Sequence, residues 1–234
     1  GFDWSHDGQA LVVAVAQGTY GRLLEVPLDG PTREIGNRRT YLSGPHVDRR
    51  SGRMVHLAQD CEVPQRLVVR EGLHAPPVAL TDFHAPLEEG TLLPGETVEW
   101  TSTDGLRLDG VVVRPEGPGP HPLAVWVHGG PAEVMSRTFS TYFQVLASAG
   151  FAVFAPNYRG SNGRGERFLR ASVDDLGGLD GDDVLSGIDR LVQMGVACEQ
   201  RTALIGWSYG GTLALNLAAK SDVIKTVIAG AAVA

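Results

Sequence analysis

Ser208 stands in Gly206-Trp207-Ser208-Tyr209-Gly210, a G-x-S-x-G pattern between an apolar run, Thr202–Ile205, and a stretch of helical character. A serine hydroxyl becomes a nucleophile when a sharp strand-to-helix turn lifts it above the sheet edge and a neighbouring base accepts its proton. Glycine at 206 and 210 removes side chains that would collide across such a turn, and Gly211 lets the start of the helix pack closely. The first turn of a helix also offers unpaired N–H groups and the positive end of a dipole to a developing oxyanion. A second glycine-rich turn, His128-Gly129-Gly130-Pro131, ends the apolar run Leu123–Val127. Its glycines allow backbone N–H groups to approach a substrate oxygen without side-chain interference. Together these residues suit acyl transfer through a serine ester. Either motif alone has a plainer reading: a glycine-rich helix start, or an ordinary Gly-Gly-Pro loop.

Such a serine needs a sheet under it, and residues 98–234 supply the pattern. Val98–Thr101 and Leu108–Arg114 read as an antiparallel pair turning at Thr103-Asp104-Gly105. Leu123–Val127, Phe151–Pro156, Thr202–Ile205 and Lys225–Ile228 read as buried strands. Helical stretches separate them, at Tyr142–Ala149, around Val184, Ile188, Leu191 and Val192, and after Ser208. Strands apolar on both faces and alternating with helices predict a mostly parallel sheet with helices on both faces.

Residues 1–75 have a different texture, with short strands at Ala10–Ala16, Arg22–Pro27, Met54–Gln59 and Arg66–Val69. Gly8 and Gly52 lie 44 residues apart, and Gly30 and Gly72 lie 42 apart. A period in the low forties suits the four-stranded blade of an antiparallel propeller, with a plain antiparallel sheet as the alternative. Two blades do not close a propeller, which takes about four to eight. Residues 76–97, with Pro76, Pro77, Pro86, Pro94 and acidic Glu88, Glu89 and Glu96, read as a surface connector.

Composition narrows the class. The 234 residues carry a formal charge of −7, which argues against nucleic acid or anionic membranes as main partners. No apolar run approaches the ~18 residues of a membrane span, and no secretory leader opens the chain, so a cytoplasmic location is expected. Two cysteines, Cys61 and Cys198, make neither a disulfide framework nor a metal-ligand spacing, and no metal or cofactor is expected. Gly160-Ser161-Asn162-Gly163-Arg164-Gly165 lacks the order of a nucleotide-binding loop. The acidic stretch Asp174–Asp183 reads as a solvated helix N-terminal region, and Trp100, Trp126 and Trp207 as core or pocket wall. Glu88-Glu89 reads as solvated surface rather than an amine-binding pair.

Residues 97–234 resemble the catalytic domain of the prolyl oligopeptidase family of serine peptidases, in particular its acylaminoacyl-peptidase-like and dipeptidyl-peptidase-like branches. Four blocks in order carry the resemblance: Glu99-Trp100 with Asp104-Gly105; His128-Gly129-Gly130-Pro131; Asn157-Tyr158-Arg159-Gly160-Ser161 through Gly163, Gly165 and Phe168; and Gly206-Trp207-Ser208-Tyr209-Gly210-Gly211. Asp182-Asp183-Val184 with Gly187-Ile188-Asp189 matches the helix before the nucleophile strand, and Phe2-Asp3-Trp4-Ser5 with Asp7-Gly8 carries a weaker match to the family's propeller. The resemblance implies an α/β-hydrolase fold preceded by propeller blades, both partial, and a propeller that restricts access to short or unfolded peptides. It implies Ser208 as nucleophile, the N–H groups of Gly130 and Tyr209 as oxyanion hole, and Gly206, Gly210, Gly211, His128 and Gly129 as support. The Tyr209 ring would line the pocket for the residue before the scissile bond, with Trp207 and Arg159 as further substrate contacts. His128 occupies the position of an oxyanion-binding tyrosine in some relatives, which favours a backbone-only hole. For Arg159, an ion pair with Asp180, Asp182 or Asp183 stands as the alternative.

In this fold the triad runs Ser, then Asp or Glu, then His along the chain. All seven histidines precede Ser208, and the one later carboxylate, Asp222, lies at the end of the nucleophile helix. The triad acid and histidine are therefore absent from these residues. The expectation is an intact serine peptidase of which this stretch, lacking its natural N-terminus and the residues after Ala234 that would carry Asp and His, is by itself inactive. A carboxylesterase-type hydrolase and a non-catalytic propeller-hydrolase scaffold are the competing readings.

Overall fold

Alternating apolar side chains in the N-terminal third fold into two antiparallel meanders. They are seen in a computed structural model that describes residues 1–37, 40–82 and 92–233. The chain forms two compact units, one of residues 1–92 with 136–140, the other of residues 93–135 with 141–234.

In the first unit, β1 (Phe2–Trp4), β2 (Ala10–Gln17), β3 (Tyr20–Pro27) and β4 (Arg33–Ile35) pair in sequence order. The next four, β5 (Tyr41–Val47), β6 (Met54–Gln59), β7 (Arg66–Arg70) and β8 (Val78–Ala79), repeat that order. Val12, Leu23, Ile35, Leu42, Val47 and Met54 form a core shared by the two sheets. The 44-residue spacing has a structural counterpart. Gly8 and Gly52 each take a left-handed turn, φ +70° and +74°, two residues before the second strand of their sheet. Four strands are additions to the sequence reading: β1, β4 and β8, whose two or three residues leave little periodicity to detect, and the seven-residue β5, whose pattern is broken at Gly44-Pro45. Of the connector, Pro86, Glu88 and Glu89 lie outside the described residues.

The second unit is built on a six-stranded mixed sheet. Its strands are β9 (Gly95–Thr101), β10 (Arg107–Val113), β11 (His121–Val127), β12 (Ala152–Asn157), β13 (Ala197–Trp207) and β14 (Ile224–Gly230), in the spatial order β14-β13-β11-β12-β10-β9. Strands β12, β11, β13 and β14 are parallel, and β10 joins β12 and β9 antiparallel. The helices are α1 (Thr141–Ser148), the short α2 (Glu166–Leu169), α3 (Leu179–Gln193) and α4 (Tyr209–Lys220). Ala152 and Phe154 of β12 point into a core with Val184, Ile188 and Leu191 of α3 and Leu213 and Leu217 of α4. Val153 and Ala155 point the other way, to Phe143 and Ala147 of α1. Both faces of the strand are covered, which is why its sequence reads as one apolar run. Among the described residues, no helix is long and apolar enough to cross a membrane.

The strand order places β11 between β12 and β13, so successive crossovers leave on opposite sides of it. In open α/β sheets the crevice at the carboxyl ends of such strands is where ligands bind. The His128 loop follows β11 and Ser208 follows β13, and these two strands pair up to Val127 opposite Gly206.

Candidate active site

Ser208 is exposed and lies between β13 and α4 with φ 54° and ψ −125°. A positive φ is costly for a residue with a Cβ and persists only where the surroundings enforce it. The enforcement is visible on either side. A Cβ on Gly206 would overlap the Gly210 carbonyl oxygen. One on Gly210 would overlap the Val127 carbonyl oxygen and stand 2.5 Å from that of His128. Gly211 packs against the Gly230 carbonyl, which a Cβ would approach to 2.8 Å. The Ser208 N–H donates to Gly230 O at 2.9 Å, tying the turn to β14. Tyr209 is the first residue of α4, so its N–H is among those with no intrahelical acceptor.

The second glycine turn lies alongside. A Cβ on Gly129 would stand 3.6 Å from Ser208 Cβ and 3.3 Å from the Trp207 carbonyl oxygen. Gly130 holds φ +108°, and a Cβ there would collide with its own loop at Ala132. The structure thus brings Gly129 against Ser208, with Gly130 next in the same loop and Gly206, Gly210 and Gly211 packing the turn that carries the serine.

His128 does not face Ser208. It is 2% exposed, with Nδ1 at 2.8 Å from Gly129 O and Nε2 at 2.9 Å from Ser161 Oγ. Its ring stacks on Tyr158, with centroids 4.3 Å apart, and the Tyr158 hydroxyl donates to His128 O at 2.6 Å. Burial pushes its pKa down to about 4, so the ring is neutral at pH 7. A neutral ring carries one N–H, which donates either from Nδ1 to Gly129 O or from Nε2 to Ser161 Oγ, whose own hydroxyl donates to Tyr158 O at 2.6 Å. It braces the Gly129 loop and makes no hydrogen bond to Ser208.

Arg159 corrects the expectation of a substrate contact. Its guanidinium is buried and donates to Asp183 through Nε (2.9 Å) and Nη2 (2.7 Å), and to Asp104 through Nη1 (2.9 Å). Arg159 N also donates to Asp183 Oδ2 at 2.8 Å, and Ser102 Oγ to Asp183 Oδ1 at 2.6 Å. The hydrogen bond from Arg159 holds the Asp104 carboxyl below its usual range, and Asp183 holds the guanidinium firmly protonated. Three of its five N–H donors are taken by Asp183 and Asp104, so the role the structure shows for Arg159 is the ion pair.

The acidic stretch is also corrected in part: Asp180 and Asp183 are fully buried rather than solvated. Asp183 is drawn in by Arg159, and Asp180 accepts from the Tyr209 hydroxyl and, at 2.8 Å, from Gly181 N. Trp207 is 67% exposed beside Ser208, its ring lying over Gly230, so it is not a core residue. The sequence reading missed the wiring of the block after β12. Asn157 holds the loop at Met135 by a 2.7 Å bond from Met135 N and a 2.9 Å bond to Met135 O, while Tyr158 and Ser161 hold His128. The signal was the contiguity of Asn157, Tyr158, Arg159 and Ser161 directly after a buried strand.

Residues 137–234, which include the Ser208 turn, match the prolyl oligopeptidase family model. The match takes in 98 of the 234 residues. Among curated relatives, the chain is 33% identical over 146 residues to the uncharacterized peptidase YuxL of Bacillus subtilis, covering 61% of the chain and 22% of the relative. It is 34% identical over 139 residues to dipeptidyl aminopeptidase BIII of Pseudoxanthomonas mexicana, covering 56% and 20%. Among solved structures, the acylaminoacyl peptidase of Pyrococcus horikoshii superposes with a TM-score of 0.84 at 26% identity, covering 96% of this chain and 36% of that one. The chain therefore spans about a fifth of these curated relatives and about a third of the solved one.

Proposed function

We propose that the protein containing these residues is a serine peptidase that hydrolyses short peptides through an acyl-serine intermediate. One observation carries the reading: an exposed serine at φ 54° on a strand-to-helix turn, with Gly129 of the second glycine turn packed against it. In this reaction Ser208 Oγ attacks the peptide carbonyl carbon while its proton passes to a base. The carbonyl oxygen takes up negative charge opposite the N–H groups of Tyr209 and Gly130, the C–N bond breaks, and the amine departs with the proton. Water then attacks the ester and restores the serine.

Among the described residues no histidine is hydrogen-bonded to Ser208, and His128 is held away from it. Base and acid are assigned to parts of the protein other than these 234 residues, in line with the share of its relatives that the chain spans. On their own these residues are then inactive. The two N-terminal sheets are assigned as blades of a β-propeller and the mixed sheet as part of an α/β-hydrolase domain. The dipeptidyl and acylaminoacyl activities in the names of its relatives make peptides the first substrates to try.

The test is turnover of peptidyl-amide substrates against simple esters by the full-length protein, with Ser208→Ala as control. Amide hydrolysis abolished by that substitution is expected. Ester turnover without amide turnover would favour a carboxylesterase instead.

A further inference from the structure

We infer that Asp180 is a positioning residue: it fixes the Tyr209 side chain and so sets both the oxyanion donor at Tyr209 and the shape of the pocket beside Ser208. The inference rests on the serine-peptidase reading above.

Asp180 lies in the first turn of α3 with no exposed surface. Among the described residues no lysine or arginine pairs with it, and the nearby Asp183 charge is repulsive. Burying a carboxylate is costly unless it is hydrogen-bonded, and burial accordingly raises its pKa. A purely packing role would be served better by an apolar side chain or an amide. What the carboxylate gains here is a strong bond to a phenol: Tyr209 OH donates to Oδ2. The same hydroxyl accepts from Gly177 N at 3.1 Å, and Gly177 O accepts from Lys220 Nζ, at the far end of α4, at 2.7 Å.

The phenol is thus held by a donor and an acceptor from the segment entering α3, while its backbone opens α4 next to Ser208. Its ring lies 6.4 Å from that of Tyr158, which stacks on His128 and bonds its carbonyl. Asp180, Tyr209, Tyr158 and His128 therefore form one continuous contact path between the two sides of the proposed oxyanion hole. With Asp180 removed, the ring loses its acceptor and can swing, which moves both the wall beside Ser208 and the N–H behind it.

The experiment uses the full-length protein with Asp180→Ala, Asp180→Asn, Tyr209→Phe and the Asp180→Ala/Tyr209→Phe pair. Peptidyl amides bearing Gly or Phe before the scissile bond are the substrates. A displacement near 1 Å costs on the order of 10²-fold in rate. Asp180→Ala and Tyr209→Phe should each lower kcat/KM for the Phe substrate by about 10–100-fold and shrink the Phe-to-Gly preference. The double variant should be little worse than either single, because both remove one bond. Asp180→Asn, which keeps an acceptor, should recover most of the preference. A merely structural role would scale all substrates down together. An unchanged Phe-to-Gly ratio in Tyr209→Phe overturns the inference even if Asp180→Ala fails to fold, and so do multiplicative effects in the pair. Activity that survives Ser208→Ala would instead remove the reading beneath it.

Discussion

Replacing Asp183 with Asn separates a structural Arg159 from a substrate-binding one. The carboxylate accepts from Arg159 N, Nε and Nη2 and from Ser102 Oγ, at 2.6 to 2.9 Å. Asparagine keeps the shape but turns one acceptor oxygen into an NH2 facing those donors, and it removes the charge that neutralises Arg159. The Arg159 and Asp183 side chains are 5% and 0% exposed, so water screens little of the loss. Breaking a pair this buried costs about 3–5 kcal/mol. The second partner, Asp104, is 40% exposed, and its replacement by Asn should cost at most about 1 kcal/mol. Replacing the ion pair as a whole, Arg159→Met with Asp183→Leu, should recover much of the loss, because neither charge is then stranded. The assay is urea unfolding at pH 7 followed by circular dichroism and tryptophan emission. Trp100 is a local reporter, since its Nε1 donates to Asp183 O at 3.0 Å. A loss below about 1 kcal/mol for Asp183→Asn, together with a raised KM but unchanged stability for Arg159→Met, would refute the reasoning.

Three further outcomes are expected. Gly210→Ala must push α4 away from the Val127 and His128 carbonyls; about 1–3 kcal/mol of stability and on the order of 10²-fold in acylation rate should be lost. Gly72→Ala, which has open space around it, should stay within about 0.5 kcal/mol in thermal unfolding. His128, held near pKa 4 in the fold against 6.5 in its absence, binds fewer protons folded than unfolded between those values. Its contribution is therefore fully present above about pH 6.5 and is lost as pH falls towards 4, by up to about 3 kcal/mol. His128→Gln should flatten that part of the stability-pH curve, and a curve unchanged by the substitution would contradict the buried neutral ring.

The parts of the molecule legible in the sequence are those set by local rules. Gly206 and Gly210 announce a close backbone approach, and the collisions found at both positions are the ones such a turn demands. The runs at Leu123–Val127 and Phe151–Pro156 became β11 and β12 nearly residue for residue, because strands buried on both faces leave an unbroken apolar signature. What stayed illegible depends on partners far apart in the chain. Nothing local distinguishes Asp183, buried under an arginine 24 residues away, from Asp182 beside it, nor marks Asp180 as the acceptor for a tyrosine 29 residues downstream. Arg159 was ambiguous for the same reason: its role is decided by Asp104 and Asp183, from different elements. The short strands β1, β4 and β8 were unreadable because they are defined by their neighbours rather than by their own two or three residues.

Ser208 as the nucleophile, with its base supplied by the rest of the protein, is the central claim, and a fluorophosphonate probe tests it directly. Intact mass and peptide mapping of the full-length protein should show one adduct, on Ser208, that disappears in Ser208→Ala. The isolated 234 residues should label slower by orders of magnitude, as expected of a serine without its base. An unlabelled Ser208 in the full-length protein, or equal labelling rates for the two chains, would contradict the account.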